Sequence, residues 1–166
     1  MRTRRKQSDG FTLIELILVL IVITIIIALV APSLSGFTVG RRNKDMASLF
    51  INLASYARTQ SVAEGRVYRL NVDPKTGAMW LTAGKGGIFG PPSSDFGDRF
   101  ESPQDIRVQS ELPQHEDATY VEFQPSGRCE AGRIRFIDKL GGMIEVVCES
   151  STELYHVVGS PGTENH

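Results

Sequence analysis

The sequence lacks the short motifs around which common enzyme active sites are built. It contains no Gly-x-Ser-x-Gly nucleophile elbow, no His-Glu-x-x-His helix and no glycine-rich phosphate-binding loop. These absences argue against the usual hydrolases, metalloproteases and nucleotide-binding enzymes. The sequence therefore predicts no catalytic residue and no cofactor, and we expect that the protein is not an enzyme.

Metal ligands are also scarce. The chain has two cysteines and no Cys-x-x-Cys pair, and its three histidines are scattered at His115, His156 and His166. A structural zinc site needs four such ligands, usually at close spacing, so the pattern argues against one. Four acidic residues could suggest calcium: Asp95, Asp98, Glu101 and Asp105. They lack the regular spacing of a calcium-binding loop, which favours a solvated acidic loop, and we expect no metal.

The sequence has almost no net charge. The formal charge is −1, and from residue 37 onward 14 basic residues stand against 17 acidic ones. This balance argues against a broadly basic surface for nucleic acid. Locally, Arg133 and Arg135 would share one face of a strand with Arg128 nearby, and these arginines could contact DNA phosphates. Acidic residues are interspersed with them, so we favour a solvated face and predict no nucleic-acid partner.

Long hydrophobic runs are absent except for one near the N-terminus. Residues 16–30 are apolar apart from Thr24, and residues 11–31 are long enough as a helix to cross a hydrocarbon core of ~30 Å. The preceding residues carry four positive charges: Arg2, Arg4, Arg5 and Lys6. These cations would hold the N-terminus in the cytoplasm. A secretory signal peptide would need a cleavage site after the run, where Pro32 makes a poor substrate, so we predict a retained single-pass helix.

Glu15 is the unusual residue in this helix. An ordinary single-pass membrane anchor would have the same topology, but it would not need an acidic residue here. A carboxylate costs roughly 2.5–3.5 kcal/mol at the bilayer centre, less near the interface, and usually has a partner. Nothing basic lies near it on the apolar helix. If the chain were cut between Gly10 and Phe11, the new α-amino group would lie one helical turn from Glu15, on the same chain or on a neighbour. Pairing between chains would fix the axial step of an assembly.

Residues 10–15 read Gly-Phe-Thr-Leu-Ile-Glu and run directly into the apolar segment. This combination resembles the class III signal of type IV pilins and type II secretion pseudopilins. The resemblance implies that a prepilin peptidase cleaves after Gly10 and N-methylates Phe11, that Glu15 is the assembly acid, and that Pro32 kinks the helix. It implies a location in the bacterial inner membrane, with the N-terminus in the cytoplasm and the C-terminal domain in the periplasm. The implied partners are the peptidase, inner-membrane lipids and other pseudopilins or pilins in a helical filament.

The remainder of the chain predicts one α+β domain. Apolar residues at spacings of three and four predict an amphipathic helix over about residues 41–64, with Gly65 as its stop. The period then changes to two, which predicts strands at residues 67–72, 78–82, 105–109, 119–123, 133–138, 143–148 and 154–158. Residues 83–103 are rich in Gly, Pro, Ser and Asp, and predict a long surface loop. One helix followed only by strands favours a helix packed on an antiparallel β-sheet.

The predicted organisation has four parts. Residues 1–10 are a cleaved cytoplasmic leader, and residues 11–35 are a transmembrane and assembly helix. Residues 36–158 form a periplasmic, pilin-like domain, and residues 159–166 form a flexible tail. A basic cluster lies just outside the predicted membrane span, and we interpret it as a solvated face that contacts lipid head groups: Arg41, Arg42 and Lys44.

Two further stretches are similar to the H-type branch of this family, which comprises type II secretion protein H and FimT/FimU-like minor pilins. Residues 53–63 carry its helix-end pattern of Ala, Arg, Ser and Gln, and residues 123–127 read Phe-Gln-Pro-Ser-Gly. The resemblance implies a minor pseudopilin that assembles into, or caps, an inner-membrane pseudopilus. The alternative is a type IV pilus minor pilin that acts in pilus assembly or DNA uptake. FimT-like pilins that take up DNA use late basic residues, here Arg133 and Arg135.

The two cysteines, Cys129 and Cys148, lie in the part of the chain predicted to be exported. An even pair in an oxidising compartment favours a disulfide. They flank a predicted hairpin around Gly141, and strict pairing about this turn would place Cys148 nearer Arg133 than Cys129. The segment before the strand would then have to fold back for the sulfurs to meet. Two free buried thiols are the alternative.

Overall fold

The computed structural model describes residues 12–94, 96–116 and 118–158, with the backbone alone for residues 29–40. The predicted leader, the junction of Gly10 and Phe11, and the tail at residues 159–166 lie outside this range. The chain divides between Thr38 and Val39 into two compact units, and each is described by itself.

Helix α1 (Leu13–Glu64) begins at an N-cap formed by Thr12. The N–H of Glu15 donates to Thr12 Oγ1 at 3.3 Å, and the N–H of Leu16 donates to the Thr12 carbonyl at 3.2 Å. Pro32 falls within the bounds of α1, but its side chain is outside the described set, so the kink stays a prediction. No helix within the described residues is both long and apolar enough to cross a membrane. The predicted span at residues 11–31 includes positions outside that set.

A glycine ends α1. Gly65 has a φ of +65°, a left-handed conformation that glycine adopts without a side-chain penalty. The N–H of Arg66 donates to the carbonyl of Ser61 at 3.2 Å, which is the six-to-one bond of a Schellman cap. The predicted stop at Gly65 is therefore confirmed.

Nine strands follow among the described residues, and they form two antiparallel sheets. Their bounds are β1 Tyr68–Val72, β2 Met79–Lys85, β3 Ile88–Gly90, β4 Ile106–Glu111, β5 Gln114–His115, β6 Ala118–Phe123, β7 Gly132–Asp138, β8 Met143–Cys148 and β9 His156–Val158. One sheet has the order β3-β2-β1-β6-β5, and the other has the order β4-β7-β8-β9. The seven predicted strands are present: β8 has the predicted bounds, and the others are shifted at one or both ends.

The inward faces of both sheets pack against the second half of α1. Alternate residues of β1 and β2 are buried, as the period of two predicts. Phe50 and Leu53 of α1 are fully buried in the same core. The Phe50 ring centroid lies 6.4 Å from that of Phe136 in β7 and 5.2 Å from that of Tyr155. This packing confirms the predicted α+β fold, with one helix laid on antiparallel sheets.

The structure corrects the loop predicted over residues 83–103. β2 continues to Lys85, and β3 returns so that Lys85 pairs with Ile88. Gly86 and Gly87 have φ values of +61° and +86°, as a two-residue type I′ turn requires. Adjacent glycines are a hairpin signal, which the high Gly and Pro content of the whole stretch obscured. The two-residue strand β5 was also missed, because so short a strand shows no alternation.

The rest of this stretch lies along the sheet. The N–H of Phe100 donates to the Met79 carbonyl at 2.8 Å, and the N–H of Met79 donates to the Phe100 carbonyl at 2.9 Å. The N–H of Leu81 donates to the Gly97 carbonyl. The Phe96 ring packs on Tyr56 of α1 with centroids 4.7 Å apart. Backbone hydrogen bonds and an aromatic contact therefore hold the segment against both the sheet and the helix.

Candidate functional site

The first described part of α1 exposes apolar side chains on all sides. Over residues 13–28, each large hydrophobic side chain is at least 43% exposed, and Leu13 is 77% exposed. A helix that is apolar all round is stable only where lipid or other protein covers it. This segment is therefore a surface that needs a partner, in contrast to the buried face of α1 over residues 46–57.

Two polar side chains interrupt the apolar segment. Thr24 donates its hydroxyl to the carbonyl of Leu20 at 2.7 Å, so its polar atom is satisfied within the helix. Glu15 forms no ion pair with any described residue. Glu15 is thus the one polar group of this part whose charge needs a partner from elsewhere. Gly10 and Phe11, which form the predicted cleavage site, lie outside the described residues.

Glu15 also occupies a structural position that the sequence reasoning missed. Thr12 is the N-cap and Glu15 is the third helical residue, which is the Thr-x-x-Glu spacing of a capping box. An acidic side chain in the first turn also stabilises a helix through its macrodipole. The signal is present at residues 12–15, but it coincides with the start of the membrane-length run, which dominates the local pattern. A test of the Glu15 charge must therefore separate pairing from capping.

The two stretches that resemble the H-type branch contact each other. Ser61, fully buried in the helix-end pattern, donates its hydroxyl to the Arg58 carbonyl at 2.8 Å and the Gln124 carbonyl at 3.1 Å. Gln124 belongs to the Phe-Gln-Pro-Ser-Gly turn. Arg58 donates to the carbonyls of Thr152 and Glu153 at 3.0 and 2.7 Å. These pattern residues fasten the end of α1 to the loops after β6 and β8.

Cys129 and Cys148 are buried side by side. Their Sγ atoms are 3.7 Å apart, and both residues are thiols. The segment before β7 folds back: the N–H of Cys129 donates to the Ser151 carbonyl at 2.9 Å, and Cys148 pairs with Gly132. Burial, reinforced by the neighbouring thiol, raises the pKa of Cys129 to about 12. A disulfide needs an S–S length near 2.05 Å and stays a prediction.

Arg133 and Arg135 share one face of β7, and both form ion pairs with acidic side chains of the neighbouring strands. Arg135 lies 2.7 Å from carboxylate oxygens of Glu111 in β4 and Glu145 in β8. Arg133 lies 3.4 Å from Glu145 and 4.0 Å from Glu111. Hydrogen bonds to Glu145 and Glu111 raise the pKa of Arg135 above its ordinary value. Arg128 is located between β6 and β7, outside these ion pairs.

A buried polar cluster joins α1 to the turn between β7 and β8. Asn43 is 2% exposed, and its Nδ2 donates to Asp138 Oδ2 at 2.9 Å and to the Gly142 carbonyl at 2.8 Å. The other oxygen of Asp138 accepts the N–H groups of Leu140 and Gly142 at 2.8 and 2.9 Å. The cluster fixes this turn beside the first turns of α1 in the second unit.

The acidic residues considered for calcium are dispersed. Asp105 pairs with Arg42 at 2.6 Å, and Glu101 pairs with Arg99 at 2.7 Å. Within the described part of the chain, no three His, Cys, Asp or Glu side chains are grouped so as to hold a metal ion. Asp95 lies outside that part.

Comparisons with known proteins agree with both resemblances. Residues 5–31 match the family model of the prokaryotic N-terminal methylation motif. Type II secretion system protein H of Xanthomonas campestris pv. campestris is 27% identical to the chain over 130 residues, which cover 78% of this chain and 72% of that protein. The chain therefore carries the pilin-type N-methylation motif and is similar to a protein H.

Solved structures show the same fold. The minor pseudopilin EpsH from the type 2 secretion system of Vibrio cholerae matches with a TM-score of 0.62 at 12% identity, over 74% of this chain and 99% of that chain. The type IV minor pilin FimU of Pseudomonas aeruginosa matches with a TM-score of 0.56 at 11% identity, over 76% of this chain and 98% of that chain. The pilin-like α+β fold and the resemblance to the H-type branch are confirmed. Pseudopilins are structural proteins and not enzymes.

Proposed function

We propose that this chain is a minor pseudopilin of a type II protein secretion system, a structural subunit that assembles into or caps an inner-membrane pseudopilus. One observation carries the proposal: the methylation motif at residues 5–31 precedes, in a single chain, a domain with the fold of EpsH. The similarity to a protein H over 130 residues supports the same assignment.

Processing and insertion follow from the motif. Prepilin peptidase cleaves after Gly10 and methylates Phe11. The helix at residues 11–35 then crosses the inner membrane once, with the domain at residues 36–158 in the periplasm. The exposed apolar surface of residues 13–28 supports this proposal, because it needs lipid before assembly and neighbouring helices after assembly.

Glu15 sets the register of assembly. Its carboxylate pairs with the Phe11 α-amino group of an adjacent subunit, and the pairing removes two charges from an apolar bundle. Breaking such a pair by removing one partner costs about 3–5 kcal/mol when the other charge stays buried. Only one axial offset between subunits satisfies both charges, so the pairing selects that offset.

Three variants separate charge pairing from helix capping. Glu15→Gln keeps the capping geometry but removes the charge, because glutamine also serves at this position of a capping box. Glu15→Val removes both. Thr24→Val is the control, since the one described hydrogen bond of the Thr24 side chain lies within its own helix. We expect cleaved, membrane-inserted chains in all three, with incorporation into pseudopili lost for both Glu15 variants. Normal incorporation of Glu15→Gln would contradict the pairing.

The secretion role is tested in a deletion strain. Loss of exported enzymes from the culture supernatant, with their retention in the periplasm, is expected, and the wild-type gene should restore export. A variant with a bulky residue at Gly10 should keep the leader, visible as an uncleaved mass, and should not restore export. An unchanged supernatant would contradict the type II assignment.

The second candidate function is that of a type IV pilus minor pilin in pilus assembly or DNA uptake. The match to FimU supports it at the level of fold. The ion pairs of Arg133 and Arg135 with Glu111 and Glu145 count against direct DNA binding by that face. Loss of pili or twitching motility, with normal secretion, in the deletion strain would favour this candidate.

A further inference from the structure

The turn between β7 and β8 presents an exposed leucine beside α1. Leu140 is 72% exposed at the tip of this turn. Asn43 holds both ends of the turn through its bonds to Asp138 and Gly142. The turn that carries Leu140 is therefore anchored to α1 at Asn43.

Two exposed lysines belong to the turn and to the helix that anchors it. Lys139 is exposed and precedes Leu140 in the turn, and Lys44 is exposed about 100° around the helix from Asn43. Neither lysine forms an ion pair with a described residue.

The acidic groups near the tip are already engaged or face away. Asp138 is 8% exposed and accepts three hydrogen bonds within the turn and from Asn43. Asp105 is paired with Arg42, and its carboxylate also attracts the more distant charge of Lys139. Asp45 lies about 200° around the helix from Asn43, on the opposite side. The surface at the tip is thus an apolar side chain flanked by two cations that form no ion pair with a described residue.

We propose that Lys44, Lys139 and Leu140 form a docking surface for an anionic lipid bilayer, which holds the domain on the membrane before assembly. The proposal rests on the membrane anchor of the proposed function. Lys44 follows the end of the predicted span at residue 31 by thirteen residues, so even a fully extended chain keeps it within about 45 Å of the bilayer. A leucine that enters the interface between lysines whose charges stay at head-group level is the arrangement found at membrane surfaces.

The chain offers a matched control tip. The turn between β2 and β3 also combines an exposed lysine, Lys85, with an exposed aliphatic residue, Ile88, which is 77% exposed. The N–H of Gly84 donates to the Val67 carbonyl, just beyond the end of α1. The helix from Asn43 to its end is about 30 Å long. The two tips have similar chemistry, but the control tip lies near the other end of this helix.

The test uses the full chain in lipid nanodiscs. In a Trp80→Phe background, which removes the single native tryptophan, one variant carries Leu140→Trp and the other Ile88→Trp. Discs contain phosphatidylglycerol or phosphatidylcholine, with bromine on the acyl chains as a short-range quencher. Circular dichroism and thermal unfolding confirm that both variants fold like the parent.

We expect bromine in phosphatidylglycerol discs to remove about half of the emission from position 140 and little of that from position 88. Lys44→Gln with Lys139→Gln should reduce the docked fraction at least about tenfold, since each surface lysine contributes roughly fivefold. Three outcomes would overturn the docking surface and leave the anchor intact. These are equal quenching at both positions, quenching that does not depend on lipid charge, and no quenching in a chain that co-elutes with the discs. A chain that does not enter the discs would overturn the anchor as well.

Discussion

Asn43 and Asp138, 95 positions apart in the sequence, share a buried hydrogen bond of 2.9 Å. The bond links the helix to the turn between β7 and β8, and the same amide also donates to the Gly142 carbonyl. Asn43 Oδ1 is buried with no partner among the described residues. The amide thus serves the turn as a donor, while its own acceptor is left unsatisfied.

Asn43→Ala should lower the free energy of unfolding by about 1–2 kcal/mol, because a buried carboxylate loses a donor while the unsatisfied Oδ1 is also removed. Asn43→Asp should cost more at neutral pH, since it places a second carboxylate against Asp138. Urea unfolding followed by Trp80 fluorescence measures both. Asn52→Ala, on the exposed side of α1, is the control. A loss for Asn52→Ala equal to that for Asn43→Ala would contradict the role of the cluster.

Two glycines with the same backbone conformation should respond differently to alanine. Gly65 has a φ of +65°, and an added Cβ would meet open space, so Gly65→Ala should cost only the left-handed strain, about 1 kcal/mol. Gly77 has a φ of +70°, and an added Cβ would lie 2.7 Å from Ser102 Cβ and Val108 Cγ2. Gly77→Ala adds overpacking of about 1–3 kcal/mol to that strain. Equal unfolding free energies for the two variants would contradict this difference.

Local patterns predicted the elements, but not the contacts between distant segments. The helix stop at Gly65 and the alternation of the strands depend only on residues close together in the sequence. The helix end and seven strands were therefore predictable. No local sequence pattern predicts the hydrogen bond between Asn43 and Asp138. The pairing of Arg135 with Glu111 depends on β4 lying beside β7, which is a property of sheet order and not of periodicity. Strict pairing about the turn predicted that Cys148 would lie near Arg133, and the structure pairs it with the adjacent Gly132. The exact register depends on the geometry of the intervening turn.

The buried Cys129 thiol should make the reduced protein sensitive to alkaline pH. The pKa of Cys129 rises from its ordinary value of 9.0 to about 12, chiefly through burial. Folding therefore favours the protonated thiol, and this stability is complete below pH 9 and is lost as the pH rises toward 12. The loss is about 1.4 kcal/mol per pH unit over this range. Tyr68, whose pKa is raised by burial from 10.0 to about 12, adds its own loss only above pH 10.

Unfolding free energies measured on either side of the ordinary thiol pKa, from about pH 8 to about pH 10, test this behaviour. The reduced chain should lose stability as the pH rises through the upper half of this range, and Cys129→Ala should have a flatter profile there. Identical profiles would show that the thiol does not titrate as its burial requires.

Oxidation should convert the same pair into a disulfide. The sulfurs are already in contact at 3.7 Å, so only small side-chain movements are needed. The bond would close a loop of about twenty residues and should raise the free energy of unfolding by about 3 kcal/mol. Alkylation of the unfolded protein, with and without prior reduction, reports its formation. Full alkylation without reduction, in protein that has been exposed to an oxidising environment, would contradict the prediction.

The arginines of β7 should contribute nothing to DNA binding while their acidic partners are in place. Arg135 is hydrogen-bonded to Glu111 and Glu145, and Arg133 forms an ion pair with Glu145. A phosphate would therefore have to displace carboxylates already held in the sheet. We expect Arg133→Ala with Arg135→Ala to leave the affinity for a labelled duplex unchanged in fluorescence anisotropy at low salt. Glu111→Gln with Glu145→Gln should release both cations and create weak binding that falls steeply with salt. If the arginine variant instead abolishes binding by the unmodified chain, the face is a DNA contact, and the acids tune its affinity without blocking it.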